Sequence, residues 1–433
     1  MQTRRDHVQA YQFAVGRLSS ALISGDPGRG ESPTRRSALG SIFGGALVIL
    51  LCAGFGVYGL VSPVAKTDWR KNGTLVLDEA TGTRYIYAGG FLRPTRNYAS
   101  ALLITGKRAT LKTPSAKSLA GVPHGAPVGI PGAPDSVPDT SSLVRGPWAR
   151  CLPDTDTTAT TSTAQSLAFG SAASALRALP ASRQVLVKGP KDSHYLLWRG
   201  IKYAVPDPAA LIALGFDDQT VLTATAEWLA AIPSGATLSA PLPPGSGKAA
   251  GKVADKPAEV GQLFRTNAAG TERHYLLRSD GLVPVNPTAY ALLAARPGAP
   301  EPRQVEQADI AVAPVSTDRA PTDRIPDVMG TPALRGGTVC LEELSGGRHK
   351  LTVGHLGDRP VALPPGSGVL AVPVGGHSMY LITEQGLKYQ IADGDALHAL
   401  GFSGRKNGLA LPATVLALLP DGPVLSRAAA VRG

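Results

Sequence analysis

The longest uninterrupted run of apolar positions lies near the start of the chain. No charged residue occurs between Ser37 and Ala65. At about 1.5 Å per residue, a helix over this run is long enough to cross a hydrocarbon core of about 30 Å. The pattern therefore predicts a transmembrane helix over residues 37–65.

Three other interpretations of this segment remain open. A cleaved signal peptide has a shorter apolar region, and Pro63 stands where a small residue should precede Ala65. The stretch TRRSALG loosely resembles a twin-arginine signal, although 33 residues precede it. A buried core helix of this length would be unusual. We favour an uncleaved membrane anchor.

The basic residues on the two sides of this segment predict its orientation. Arg35 and Arg36 adjoin its N-terminal end and belong to a leader with six arginines, whereas only Lys66, Arg70 and Lys71 follow closely on the other side. Because basic residues are retained on the cytoplasmic side, we expect residues 1–36 in the cytoplasm and the rest outside. The expected location is the inner (plasma) membrane, crossed once.

The leader itself has an apolar position at every third or fourth residue, which is typical of an amphipathic helix. Gly25 and Pro27 would end that helix. It either docks on the lipid bilayer or a partner subunit, which we favour, or it covers itself within a small fold. The predicted apolar stripe consists of Val8, Tyr11, Val15, Leu18 and Leu22.

Beyond the anchor, short apolar runs recur in four related copies. HYLLWRGIKYAV, HYLLRSDGLVPV and MYLITEQGLKYQI are the clearest, and RYIYAGGFLRPT is the most divergent. Each has a tyrosine on a predicted strand and a glycine in a tight turn five or six residues later, which is typical of a β-hairpin. The tyrosines are Tyr85, Tyr195, Tyr275 and Tyr380. The glycines are Gly90, Gly200, Gly281 and Gly386.

A short helix is predicted after each hairpin. A residue able to accept hydrogen bonds from the first helical turn stands at nearly the same place in every copy. Pro208 and Pro287 follow at the first helical position, where a missing N–H is harmless. Each repeat is therefore predicted to be a small ββα module with flanking strands. The predicted helix caps are Asn97, Asp207, Asn286 and Asp393.

Length and composition complete the domain organisation. A chain of 433 residues with 50 glycines and 37 prolines should contain several strand-rich modules. We predict an α+β, β-rich fold, with one N-terminal transmembrane helix and an elongated extracytoplasmic region in which four hairpin-plus-helix repeats surround a central β core. The predicted parts are leader 1–36, span 37–65, repeats 66–106, 178–240, 241–296 and 362–428, and core segments 107–177 and 297–361.

Charge and motif searches disfavour several classes of function. The net charge of +11 is scattered and aromatic residues are only 5 %, so we expect no nucleic-acid partner. The loops LITGK and PPGSGKAAGK lack the first glycine of a nucleotide-binding P-loop. His194 and His274 correspond to Arg84 and Met379 in other copies, which argues against a metal or a base. We expect no catalytic residue, metal or cofactor, although an ATPase remains an alternative.

Two of the three cysteines lie in the predicted core segments. Cys151 and Cys340 are outside the membrane by the predicted topology, where disulfides persist, whereas Cys52 lies within the span. A Cys151–Cys340 bridge would join the two core segments into one domain. Two free thiols are the alternative.

These features together resemble the EccB family, membrane subunits of the actinobacterial type VII (ESX) secretion system. The features are a leader of the form TRRDHVQAYQF, one span, four hairpin repeats, GIPGAPD with PWARC, and a distant second cysteine. The resemblance covers essentially the whole chain. It implies four repeats similar to a phage-lysin cell-wall-binding fold and a core disulfide between Cys151 and Cys340.

The resemblance also implies partners and a function. Proteins of this family assemble with subunits of the EccC, EccD and EccE types, so we expect a subunit that anchors and scaffolds the complex, with possible self-association. A membrane-anchored protein that binds cell-envelope glycans through its repeats is the alternative. Family members have been labelled ATPases, but no position here carries a nucleotide motif.

Overall fold

The structure, a computed structural model, describes residues 4–25, 34–61, 67–106, 111–153, 165–320, 322–344, 347–357 and 359–432. Contacts between Cα atoms divide the chain into two units. The first comprises Met1–Leu92 and Leu111–Pro123, and the second comprises Arg93–Thr110 and His124–Gly433.

The described residues form helices and short strands throughout. In chain order the helices are α1 (Arg4–Ser24), α2 (Thr34–Val61), α3 (Tyr98–Thr105), α4 (Ala116–Leu119), α5 (Ser171–Ser174), α6 (Pro208–Ala213), α7 (Ala226–Ala230), α8 (Pro287–Ala294), α9 (Gln307–Val312), α10 (Gly394–Ala399), α11 (Ala413–Leu416) and α12 (Arg427–Arg432). Short 3-10 turns lie at Thr140–Ser142, Pro190–Asp192, Thr322–Arg324 and Arg405–Asn407.

The strands of the first half are β1 (Thr74–Leu77), β2 (Arg84–Ala88), β3 (Phe91–Pro94), β4 (Leu111–Lys112), β5 (Trp148–Cys151), β6 (Ser166–Phe169), β7 (Arg177–Ala178), β8 (Val185–Lys188), β9 (His194–Trp198), β10 (Ile201–Val205), β11 (Val221–Thr223) and β12 (Ala249–Val253). Those of the second half are β13 (Lys256–Glu259), β14 (Leu263–Ala268), β15 (Thr271–Arg278), β16 (Gly281–Val285), β17 (Arg303–Gln304), β18 (Thr338–Leu344), β19 (Arg348–Gly354), β20 (Val361–Ala362), β21 (Gly368–Pro373), β22 (Met379–Thr383), β23 (Lys388–Ile391) and β24 (Leu409–Leu411).

Neither of the two N-terminal helices has a buried residue in the part that the structure describes. The window Ala38–Tyr58 of α2 has a mean hydropathy of 2.2 and is unburied, so α2 is long and apolar enough to span a membrane. In α1 the predicted apolar stripe is exposed along its whole length. The helix ends where Gly25 adopts a φ of 70° and its N–H donates to the carbonyl of Ala21. The predicted terminator Pro27 and the end of the predicted span, residues 62–65, lie outside the described residues.

Four sheets repeat one topology. In each, three strands follow one another as an antiparallel meander, a helix follows, and a fourth strand returns parallel to the first. The strand orders are β3-β2-β1-β4, β10-β9-β8-β11, β16-β15-β14-β17 and β23-β22-β21-β24. The predicted β-rich α+β fold with one N-terminal apolar helix is confirmed.

A central six-stranded sheet is built from two distant parts of the chain. Its order is β20-β6-β5-β18-β19-β7, so β5 from the first part pairs with β18 from the second. Repeats two and three lie between these parts in sequence. The core sheet therefore closes a loop that contains two complete repeats.

Each repeat sheet in the second unit is buried on both faces. One face packs on helices: in repeats two and three, Leu196 and Leu276 share one cluster with residues of α6 and α8. The other face of repeats two and four packs against the core sheet, as Leu197 does. Repeat three has a cover of its own, because the hairpin β12–β13 packs Val253 and Ala258 against that face.

The helix of repeat one packs within the second unit. Ala99, Leu102 and Leu103 of α3 belong to the same cluster as Leu381 and Leu397 of repeat four. Helix α3 contacts both α10 and the C-terminal helix α12. The repeat helices are therefore grouped as α6 with α8 and α3 with α10.

The sheets of repeats one and three extend beyond the predicted ends at residues 106 and 296. Strands β4 and β17 supply their fourth strands, so residues predicted to begin the core segments belong to repeats. Both strands are only two residues long and pair in parallel with a distant first strand. Such a strand is formed by long-range pairing and has no recognisable local pattern.

Candidate functional site: a scaffold of edge-closed repeats

The four repeat tyrosines occupy one register position. Each lies on the second strand opposite an apolar residue of the first strand, as in the pairs Val76–Tyr85 and Val187–Tyr195, and each is half-buried. In the other two copies the partners are Phe264 and Ala371. The glycines that follow, Gly90, Gly200, Gly281 and Gly386, all have positive φ and lie at the turn into the third strand.

The residues at the four helix caps make the same hydrogen bond. Each side-chain oxygen accepts from a backbone N–H of the first helical turn, which satisfies a donor that the helix leaves free. Asn97 accepts from Ser100 at 3.0 Å, and Asp207, Asn286 and Asp393 accept from Ala209, Ala289 and Ala396 at 2.8 Å.

The two asparagines have a second role that the aspartates lack. The amide of Asn97 donates to the carbonyl of Ile130, and that of Asn286 donates to the carbonyl of Ile325, both at 2.7 Å. An ionised carboxylate has no proton for such a bond. The asparagines therefore cap a helix and also hold a later segment of the chain, in repeats one and three.

The structure shows a further repeated segment, which the sequence shows clearly in the second and fourth copies alone. In every repeat, the third strand donates a backbone N–H to the carbonyl of a proline that follows the repeat helix. We name the short segment that begins at this proline the edge clasp. The bonds run from Leu92 to Pro123 (2.9 Å), Lys202 to Pro233 (2.9 Å), Leu282 to Pro314 (2.7 Å) and Lys388 to Pro420 (3.0 Å).

The edge clasp covers the third strand, which is one of the two edges of each sheet. Exposed edges invite pairing with other chains, so covering the third strand removes one such edge from each repeat. The sequence signal was an apolar residue followed by proline, in VPHG, IPSG, APVS and LPDG. The second and fourth copies, WLAAIPSGATLS and VLALLPDGPVLS, resemble each other over a longer stretch, whereas the first and third share only the short pattern.

In repeats two and four the edge clasp fits tightly against a tyrosine. Gly235 lies against the ring of Tyr203, and Gly422 lies against the ring of Tyr389, so a Cβ at either glycine would overlap the ring. Burial raises the pKa of both tyrosines, because the phenolate is poorly solvated there. In repeat four, Lys388 also donates to the carbonyl of Leu419 at 2.6 Å.

Cys151 and Cys340 are joined at the centre of the core sheet. They are register partners on β5 and β18, both fully buried, with an Sγ–Sγ distance of 2.02 Å. The bridge closes a sequence separation of 189 residues. It thus links the two parts of the chain between which repeats two and three are inserted.

Comparison with known proteins places this architecture. Residues 1–354 and 353–433 match the family described as type VII secretion system ESX-1, transport TM domain B. The chain belongs to this EccB family. The resemblance drawn from the leader, span, repeats and cysteines is confirmed.

Relatives of the EccB family match over nearly the whole chain. It is 27 % identical to the ESX-1 secretion system ATPase EccB1 of Mycolicibacterium smegmatis MKD8, covering 99 % of this chain and 95 % of the relative. It is 26 % identical to the ESX-3 secretion system ATPase EccB3 of Mycobacterium tuberculosis H37Rv, and the match covers 99 % of this chain and 89 % of the relative. A chain in the structure of an intact ESX-5 inner membrane complex has the same fold, with a TM-score of 0.50 at 23 % identity. The match covers 100 % of this chain and 95 % of that one.

The names of these EccB relatives include the word ATPase, and this chain has two glycine-rich loops. A P-loop joins a strand to the N-terminus of a helix, so that backbone N–H groups point at phosphates. In LITGK, Gly106 instead ends helix α3 in a left-handed conformation. In PPGSGKAAGK, Gly245 and Gly247 form a turn that leads into strand β12. In its described residues, neither segment has the geometry of a phosphate-binding loop.

Proposed function

We propose that this chain is an assembly subunit that anchors and scaffolds a type VII secretion membrane complex. The observation that carries the proposal is the match of the whole chain to the EccB family, together with a repeat architecture devoted to packing. Helix α2 supplies the anchor, and the paired repeats and the core sheet supply the folded body.

The proposed topology places α1 in the cytoplasm and the repeats outside. The excess of arginine before α2 supports this orientation. Helix α1 supports a docking role on its own side, because its apolar stripe is exposed within the chain. Membrane subunits of the EccC, EccD and EccE types, the lipid bilayer and further copies of this chain are the proposed partners.

Scaffolding is a better account of the site than nucleotide hydrolysis. The repeated residues cap helices, close turns and cover one edge of each sheet, and the described residues of both glycine-rich loops have geometries unsuited to cradling phosphates. The disulfide supports the same reading, since it stabilises the sheet on which repeats two and four rest. We infer that the ATPase in the names of relatives does not reside in either loop.

Affinity purification tests the assembly role. A tagged full-length chain is extracted from native membranes in detergent, and co-purifying proteins are identified by mass spectrometry. We expect a large ring-forming ATPase and other membrane subunits to be recovered. Recovery of the chain alone, with retention on cell-wall glycans, would support the wall-binding alternative instead.

A variant of the span and a topology reporter complement this experiment. Replacing Leu50 and Leu51 in the middle of α2 by arginine should abolish membrane insertion and co-purification, because charges at mid-membrane are costly. A reporter that fluoresces only in the cytoplasm should be bright when fused before Met1 and dark when fused after Gly433. The opposite pattern would contradict the proposed orientation.

A further inference from the structure

A cleft of about 530 Å³ opens beside the second repeat, where its hairpin turn and edge clasp meet the core sheet. This volume lies in the range of small-molecule sites, about 300–1,000 Å³. The floor is apolar and the rim carries three basic side chains. The floor residues are Leu179, Ile232, Leu341 and Leu351, and the rim residues are Arg199, His349 and Lys350.

Two of the three basic side chains have a carboxylate opposite them on the neighbouring strand. His349 lies 2.8 Å from Glu343, and Lys350 is the register partner of Glu342. The charge of Lys350 thus faces an opposite charge across the core sheet, and a histidine is charged only when it is protonated. Among the described residues that line the cleft, Arg199 is the permanently charged side chain that has no carboxylate opposite it.

Arg199 makes no ion pair with any residue that the structure describes. Its guanidinium instead stacks over the ring of Trp198, 4.2 Å from the ring centroid. Its backbone adopts a φ of 52° in the hairpin turn, which fixes where the side chain leaves the chain. Stacking on one face leaves the N–H edge of the guanidinium free and already oriented.

The other repeats show that this pair is not required to build the hairpin. The positions that correspond to Trp198 hold Ala88, Arg278 and Thr383, and the following residues are Gly89, Ser279 and Glu384. The hairpins of the other three repeats therefore form without this tryptophan and arginine. The stacked pair is thus particular to the repeat whose hairpin borders this cleft.

We propose that the cleft binds a carboxylate carried on a short apolar group, such as the end of a small peptide. The guanidinium edge of Arg199 would hold the carboxylate through two parallel hydrogen bonds, and the apolar floor would receive the side chain. One unbalanced positive charge beside an apolar surface suits a monoanion better than a phosphate dianion. This site is independent of the assembly role.

The test uses the full-length chain in detergent and two probes that differ only in charge. Acetyl-alanyl-alanine and its C-terminal amide are titrated separately by ligand-observed saturation-transfer NMR. We expect the acid to bind with a millimolar Kd and about tenfold more tightly than the amide, the difference that one charge-assisted pair supplies.

Three variants assign the preference to Arg199. Arg199→Gln should remove the preference for the acid, and Arg199→Lys should retain only part of it because lysine cannot make the planar fork. Arg273→Gln, which removes one exposed charge from repeat three, should behave like the unaltered protein. Far-UV circular dichroism of each variant checks that the fold is kept.

Several outcomes would overturn the proposal. They are equal binding of acid and amide, no binding of the acid at millimolar concentration, or an unchanged preference in Arg199→Gln. Displacement of the acid by inorganic phosphate at lower concentrations than by acetate would identify a phosphate site instead.

Discussion

The guanidinium of Arg427 donates a hydrogen bond of 3.2 Å to the carbonyl of Leu103, 324 residues earlier in the chain. Arg427 begins the C-terminal helix α12, and Leu103 lies in the last turn of α3. A positive side chain at a helix C-terminus satisfies free carbonyls and opposes the helix dipole. The end of the chain therefore holds the helix of the first repeat against the fourth.

Loss of this contact should loosen α3. In Arg427→Gln, we expect backbone amides of Tyr98–Thr105 to exchange with deuterium about fivefold faster, as a local loss of about 1 kcal/mol implies. Arg432→Gln, at the exposed end of α12, is the matched control. Equal exchange in the two variants would show that α12 holds α3 by apolar packing alone.

The disulfide should contribute strongly to stability. Replacing Cys151 and Cys340 together by alanine is expected to lower the free energy of unfolding by about 2–5 kcal/mol, because the bridge constrains a long loop of the unfolded chain. Denaturant titration measures this, with Cys52→Ala as the control. Peptide mapping without reductant should also find the two peptides joined, and alkylation of both thiols there would refute the bridge.

The edge clasp predicts a steric cost at one glycine. Gly422→Ala places a Cβ into the ring of Tyr389 and should destabilise the protein by about 1–3 kcal/mol. Gly394→Ala is the comparison, since its Cβ would meet nothing within 4 Å. The transition temperatures of both variants in thermal unfolding test this prediction. Similar transition temperatures would mean that the edge clasp moves freely away from the ring.

The helix caps predict that asparagine and aspartate are not interchangeable. Asn286→Asp keeps the cap but loses the bond to the carbonyl of Ile325, and two oxygens then face each other. We expect a loss of about 1–3 kcal/mol in stability. The side chain of Asp207 makes the cap bond alone among the described contacts, and an asparagine oxygen can make the same bond, so Asp207→Asn should change stability little. A matching loss in both variants would indicate that capping alone matters at these positions.

The buried tyrosines predict a stability change in alkali. Burial raises the pKa of Tyr203 and Tyr389 above the ordinary value near 10, so the folded state holds these protons more tightly than the unfolded state. Their contribution is complete below about pH 10 and is lost as the pH rises through the folded pKa. Phenylalanine at both positions should flatten this decline in chemical denaturation between pH 9 and 11.

Tyr11→Phe, on the exposed face of α1, is the control for that experiment and should leave the decline unchanged. An alkaline decline that persists in the Tyr203→Phe, Tyr389→Phe protein would assign it to other groups.

Features that depend on neighbouring residues could be predicted from the sequence. A charge-free run of sufficient length made α2 an apolar helix, and the family followed from motifs spread over the whole chain. Turn glycines such as Gly200 and cap residues such as Asp207 act within three or four positions of themselves. Their chemistry can therefore be recognised without knowing the fold.

Which distant parts of the chain contact one another could be seen only in the folded structure. Strands β4 and β17 are two residues long and exist because a distant first strand pairs with them. The grouping of α6 with α8 and of α3 with α10, and the cover that β12–β13 provides for repeat three, follow from the burial of both faces of each sheet. Many apolar surfaces in this chain are similar enough to fit one another, so the choice among them depends on packing across hundreds of residues.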